Sequence, residues 1–337
     1  MFRIVKILSF IILVNVPRVY SQDSHFSQFF SNSLALNPAL TGNFIGDWRV
    51  SGNYRNQWRN IAIPYNTYSF GYDRMFYPEN HRVGGGVFLV NDNSGDAALN
   101  VTRLYLSGSY YRDINNNDLS AGIQVGYVFK SYNYSGATFP SQFDMTQGYF
   151  NSNLPSGELG IGERLSYLDI NIGASWRKKI KIFEPRVGLS LFHLNVPKES
   201  YYNFNTRVPL KILFHAKMPT DLSDNMYLAP GLVYIRQRNA SEMLLGSDLG
   251  FRFRGNFTNV DKAFTGIYFR DGIVRQADAI IVMAGAQAGR LDVILSYDFT
   301  VSPLGVVTNN RGAFEISFIY RSISTILNSY SIPCERL

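Results

Sequence analysis

Apolar and polar residues alternate along this chain in repeated segments of about ten residues, and that pattern most narrows what it can fold into. Residues 119–130 place Leu119, Ala121, Ile123, Val125, Tyr127 and Phe129 on one face, with Ser120, Gly122, Gln124, Gly126, Val128 and Lys130 on the other. The same period recurs at 168–177, at 291–300 and in the last segment, where Phe314, Ile316, Phe318 and Tyr320 oppose Glu315, Ser317, Ile319 and Arg321. A period of two is the period of a β-strand, and about ten tilted strand residues cross a bilayer. Candidate strands fall at 48–58, 66–74, 82–90, 99–111, 119–130, 167–177, 185–193, 208–217, 226–236, 243–254, 263–270, 278–286, 290–300 and 312–321. Alternation is interrupted at 82–90, 226–236 and 278–286. The expected fold is all-β: a transmembrane antiparallel barrel of about fourteen strands with both termini periplasmic.

No stretch beyond residue 21 reaches 18 consecutive apolar residues, so a mature chain embedded in a membrane must be a closed barrel. Charged residues are only 17% and aromatics reach 15%, which suits walls facing lipid. Trp48, Trp58, Tyr72, Tyr110, Trp176 and Tyr320 stand near strand ends, where interfacial girdles form. The connections 131–166, 194–207 and 301–311 follow odd strands and are long, whereas 75–81, 112–118, 178–184 and 287–289 follow even strands and are short. Long external loops alternating with short periplasmic turns is the outer-membrane pattern. A secreted β-sandwich also buries one face. The unbroken run of segments, aromatic ends and segregated long loops favour the barrel.

Export is signalled at the N-terminus. Arg3 and Lys6 precede an apolar run, Ile7 to Val16, and Val19-Tyr20-Ser21 forms a cleavage site. The expected division is a signal peptide at 1–21, an ordered periplasmic or lumen-plugging segment at 22–47, the barrel at 48–321 and a periplasmic tail at 322–337. Losing the leader removes Arg3, Lys6 and Arg18 and no acidic group, so the net charge falls from +7 to +4. That excess is scattered, and no basic block exists for nucleic acid. Cys334 is the sole cysteine and cannot form an internal disulfide.

Little in the chain suggests catalysis. His25, His81, His193 and His215 form no metal-binding spacing. Ser190 and His193 differ in strand parity and are expected on opposite sides of the wall, which breaks a serine-hydrolase pair. No enzyme activity, cofactor or metal is expected. Gly84-Gly85-Gly86 lacks the lysine and helix of a phosphate loop; glycines in a strand mark a bend or the close approach of another backbone. Segment 22–47 is rich in specific polar and aromatic groups and is expected to be ordered.

Several pieces, taken together and in order, resemble a known family. They include Gln22-Asp23-Ser24-His25-Phe26-Ser27-Gln28-Phe29, Asn37-Pro38-Ala39 and Asn53-Tyr54-Arg55-Asn56-Gln57-Trp58. Later come Thr138-Phe139-Pro140 with Gln142-Phe143, Leu191-Phe192-His193-Leu194-Asn195, and Ser296-Tyr297-Asp298-Phe299-Thr300-Val301-Ser302. The set resembles the PorP/SprF family of outer-membrane proteins of the Bacteroidetes type IX secretion system. Members often close on Cys-Pro-Arg-Phe, where this chain has Cys334-Glu335-Arg336-Leu337.

The resemblance implies a non-enzymatic barrel that supports secretion and surface anchoring of a large adhesin with a type B C-terminal signal, needed for gliding motility. The match looks closest to the SprF-like members, which partner the adhesin SprB. The implied partners are this cargo, through its C-terminal domain, periplasmic secretion or gliding components, and outer-membrane lipid. Candidate partner-binding residues are the aromatics of the longest loop: Tyr132, Tyr134, Phe139, Phe143, Tyr149 and Phe150. The alternative is an outer-membrane channel for a small solute.

Overall fold

The computed structural model describes residues 25–58, 64–94, 99–132, 138–151, 153–155, 157, 164–200, 206–253, 260–273, 277–303, 305 and 311–325. The leader, and the tail segment holding Cys334, lie outside the described residues. In chain order the strands are β1 (Trp48–Gln57), β2 (Tyr65–Phe76), β3 (Arg82–Ser94), β4 (Leu99–Ile114), β5 (Asn117–Ser131), β6 (Phe143–Asp144), β7 (Tyr149–Phe150), β8 (Arg164–Lys178) and β9 (Arg186–Phe192). They continue with β10 (Lys211–Lys217), β11 (Thr220–Asp221), β12 (Met226–Gln237), β13 (Ala240–Arg252), β14 (Lys262–Asp271), β15 (Ala277–Ala288), β16 (Leu291–Thr300) and β17 (Arg311–Arg321).

Fourteen of these form one antiparallel wall, in which each strand pairs with its sequence neighbours. The wall closes where β1 meets β17, from Arg49↔Arg321 to Gln57↔Ala313. Strands β10 and β12 also pair directly, so the short β11 sits outside the main ladder. Closure through β1 and β17 leaves no free edge strand in the wall among the described residues. The three segments with interrupted alternation are full strands: β3, β12 and β15.

The strand period decides which side chains face out. On β5, Leu119, Ile123, Val125, Tyr127 and Phe129 are exposed while Ser120, Gln124 and Val128 are buried. Leu106 and Ile267 are 66% and 63% exposed, a cost in water that vanishes in lipid. Trp48 packs on Tyr72 and Tyr320 with ring centroids 6.4 and 5.6 Å away, building one girdle. At the opposite end Trp58 meets Tyr65 edge-on at 4.9 Å.

We call the end holding Trp48 and Arg321 the near end, and the other the far end. The connections 132–163, 193–210 and 301–310 all leave the far end. The expected loop parity is nevertheless looser than supposed. The far-end link between β12 and β13 is only Arg238-Asn239, and the near-end link 253–261 is longer than its near-end neighbours.

Candidate functional site

Residues 25–42 run inside the barrel, touching strands around the wall, and 43–46 lead out to β1 at the near end. Their local structure is slight: one helical turn at Ser33–Leu36 and a 3-10 turn at Pro38–Leu40. Asn37 caps the second turn, its Oδ1 accepting from the Ala39 N–H at 2.9 Å. So short a stretch holds its shape through tertiary contacts. Phe29 and Leu36 join an apolar cluster with Phe192, Leu213, Val233, Leu244, Tyr268, Ile281 and Met283. This cluster explains the broken alternation of β15: Ile281 and Met283 point inward to meet apolar side chains of the segment. Leu34 packs with Phe88, Val90 and Tyr105 in a second cluster.

Around Ser27 and Gln28 the contacts are ionic. Asp298 lies 3.2 Å from Arg55 and 3.0 Å from Arg270, and Glu315 lies 3.1 Å from Arg55. Arg270 also bonds Asp278 at 2.7 Å. Arg55, Arg270, Asp298 and Glu315 are almost wholly buried, so each charge needs a partner. Ser27 completes the set. Its N–H donates to Glu315 Oε2 at 2.8 Å and its hydroxyl to Asp298 Oδ2 at 2.7 Å. Its Oγ accepts from Arg55 and from Arg270, the latter at 3.0 Å. One hydroxyl thus uses its proton and both lone pairs. The Gln28 N–H donates to Glu315 Oε1 at 3.1 Å, and its amide bonds Ser296 and Ser317 at 3.0 and 2.6 Å. These lumen charges come from strands far apart in the chain, and no local spacing marks them.

Nearer the strand termini the segment fits into notches. A Cβ on Gly84 would overlap the Thr41 carbonyl, and one on Gly122 would overlap Pro38. Gly84 of the Gly84-Gly85-Gly86 run therefore serves close backbone approach. The single proton of Tyr111 Oη is shared between the carbonyls of Ala39 and Thr41, each 2.8 Å away, and Ser109 and Ser120 add bonds at 2.7 and 2.9 Å. The Gly42 N–H donates to Asp73 Oδ2 at 2.7 Å, and Asp73 is held by Arg49. Asn37 Nδ2 reaches Ala174 O at 3.0 Å and His215 Nε2 at 3.2 Å.

One expectation needs correction. Ser190 and His193 do not face opposite sides of the wall; both are buried inside. β9 ends at Phe192, and His193 takes φ +60, which swings its ring back into the lumen. There His193 Nδ1 meets Asp169 Oδ1 at 2.9 Å. Ser190 Oγ instead donates to the Leu36 carbonyl at 2.9 Å, so its hydroxyl serves the lumen segment.

Among the loop candidates, Phe143, Tyr149 and Phe150 come together in the β6–β7 hairpin. Phe143 and Phe150 stack edge-on with centroids 5.1 Å apart, and all three are exposed. Asp144 shapes the turn, accepting from the Thr146 N–H at 2.8 Å. Phe139 precedes the turn Pro140–Gln142, which leads into the hairpin. Tyr132 follows β5 directly and is not part of the hairpin. Tyr134 lies outside the described residues.

Over residues 18–320 the sequence matches the family described as "Type IX secretion system membrane protein PorP/SprF". It has no match among curated proteins. Among solved structures, the chain is similar to the CymD monoaromatic hydrocarbon channel, at 12% identity and TM-score 0.49, covering 87% of this chain and 93% of that one. A Pseudomonas aeruginosa FadL homologue matches at 9% identity and TM-score 0.47, covering 84% and 92%. A mutant Rh. blastica porin matches at 8% identity and TM-score 0.33, covering 81% and 98%.

Proposed function

Because the chain belongs to the PorP/SprF family of type IX secretion system membrane proteins, we propose that this outer-membrane, multi-pass barrel supports type IX secretion and anchors a large adhesin at the cell surface. The cargo is an SprB-like adhesin bearing a type B C-terminal signal, and gliding motility depends on its display. The far end faces outward, and the near end meets periplasmic secretion or gliding components. The protein works by binding and not by catalysis.

Family membership carries this reading. The hairpin adds physical support: Phe143, Tyr149 and Phe150 stand exposed at the far end, where cargo arrives, and aromatics anchor protein interfaces. The lumen favours anchoring over conduction, since residues 25–42 fill it with apolar clusters and paired charges. A small-solute channel requires that segment to leave. The test is deletion of the gene: the adhesin should be lost from the cell surface or fail to be secreted. Normal adhesin display and gliding in the deletion strain would refute the proposal.

A further inference from the structure

Residues 25–42 do more than occupy the lumen: their path climbs it in one direction. At the near end the Asp47 N–H donates to Ser322 Oγ at 3.0 Å, just past the end of β17. Thr41 and Gly42 lie against Gly84 and Asp73, which are close to the near ends of β3 and β2. Pro38 sits beside Gly122 and Gly173, several residues further along β5 and β8. Asn32 Nδ2 reaches Ser69 Oγ, midway along β2, at 2.9 Å. Ser27 is gripped by Asp298 and Arg270, each within two residues of the far end of its strand. His25 stacks on Phe29 and faces Glu242 at 3.4 Å, two residues from the far end of β13.

We propose that the lumen segment is threaded through the full height of the wall, so that its His25 end stands at the far mouth while the start of β1 and the end of β17 lie at the near mouth. With cleavage after Ser21, only Gln22-Asp23-Ser24 precede His25. The His25 side chain is 29% exposed, with its Nε2 shielded beside Glu242. His25 and the end of β17 therefore stand at opposite mouths of the barrel, although β1 begins where β17 ends. The His25 end is held only by non-covalent bonds, chiefly at Ser27 and Gln28. This placement rests on the outward orientation of the far end proposed above.

Labelling with a membrane-impermeant maleimide on intact cells tests the placement. Each variant is the full-length exported chain with Cys334→Ser, which removes the only native thiol. Met145→Cys reports the far end and Ile45→Cys the near end, positions 91% and 90% exposed. The test variant is His25→Cys. The expected result is that His25→Cys and Met145→Cys react on intact cells, while Ile45→Cys reacts only after the outer membrane is permeabilised. If His25→Cys reacts only under the conditions that label Ile45→Cys, or stays silent under both, the threading is overturned. If Met145→Cys reacts only after permeabilisation while Ile45→Cys reacts on intact cells, the orientation of the barrel is wrong. Threading then stands if His25→Cys follows Met145→Cys and falls if it follows Ile45→Cys. Retained heat-modifiable migration in SDS gels confirms that each variant is a closed barrel.

Discussion

Asp298 is the residue on which two buried guanidinium groups depend. It lies within 3.2 Å of both Arg55 and Arg270 and takes the Ser27 hydroxyl as well. Asp298→Ala leaves those cations short of a partner in the lumen, a change that costs about 3–5 kcal/mol when a buried pair is broken. We expect a lower urea midpoint in detergent micelles, with loosening of residues 25–30 seen as faster proteolysis there. Arg321→Ala provides the contrast. It removes a partly exposed pair with Asp292, and such pairs contribute about 0–1 kcal/mol. Equal losses in the two variants would contradict this account. At this scale the sequence was only partly readable. The glycine run left a bend or a close backbone approach open, and the residue that approaches, Thr41, lies more than forty positions away. His193 misled because parity holds only while the backbone stays extended, and φ +60 ends it.

Among elements, the strands were the most legible, because each must turn one face to lipid. All fourteen wall segments stand where alternation placed them, including β3, β12 and β15. The interruptions had a cause outside the strand: inward apolar positions such as Ile281 and Met283 share one apolar cluster with Phe29 and Leu36. The β6–β7 hairpin shows the opposite case. Its aromatics were visible in the sequence, but their pairing was not, since two-residue strands leave no periodic trace. Replacing Phe143 and Phe150 together by Ser should leave barrel stability within about 0.5 kcal/mol, as for other surface changes. The same variant should reduce adhesin on the cell surface, measured by antibody binding to whole cells. Unchanged display, with the barrel intact by gel shift, would remove the hairpin from the binding surface.

For the whole molecule, the wall and its filling are separate constructions joined by complementary shape. The wall is held by its closed backbone ladder; the filling is held by glycine notches, hydroxyl donors and the charge cluster. A substitution can therefore dislodge the filling and spare the wall. Gly84→Val with Gly122→Val does this at the 38–42 turn. Each added side chain collides with backbone that cannot rotate away, while valine itself suits a strand. Overpacking of this kind costs about 1–3 kcal/mol per site. Moving the turn also forfeits the bonds that Ser109, Tyr111 and Ser120 make to the Ala39 and Thr41 carbonyls, at about 1 kcal/mol each. Gly52→Val is the control, because a Cβ there approaches only the Ser69 carbonyl, at 3.9 Å. In planar bilayers the native protein and the control should be electrically silent, whereas the double variant should show discrete conductance steps while keeping its heat-modifiable migration. If the native barrel conducts as well as the variant, residues 25–42 do not close the lumen, and the solute-channel reading gains the ground that anchoring loses.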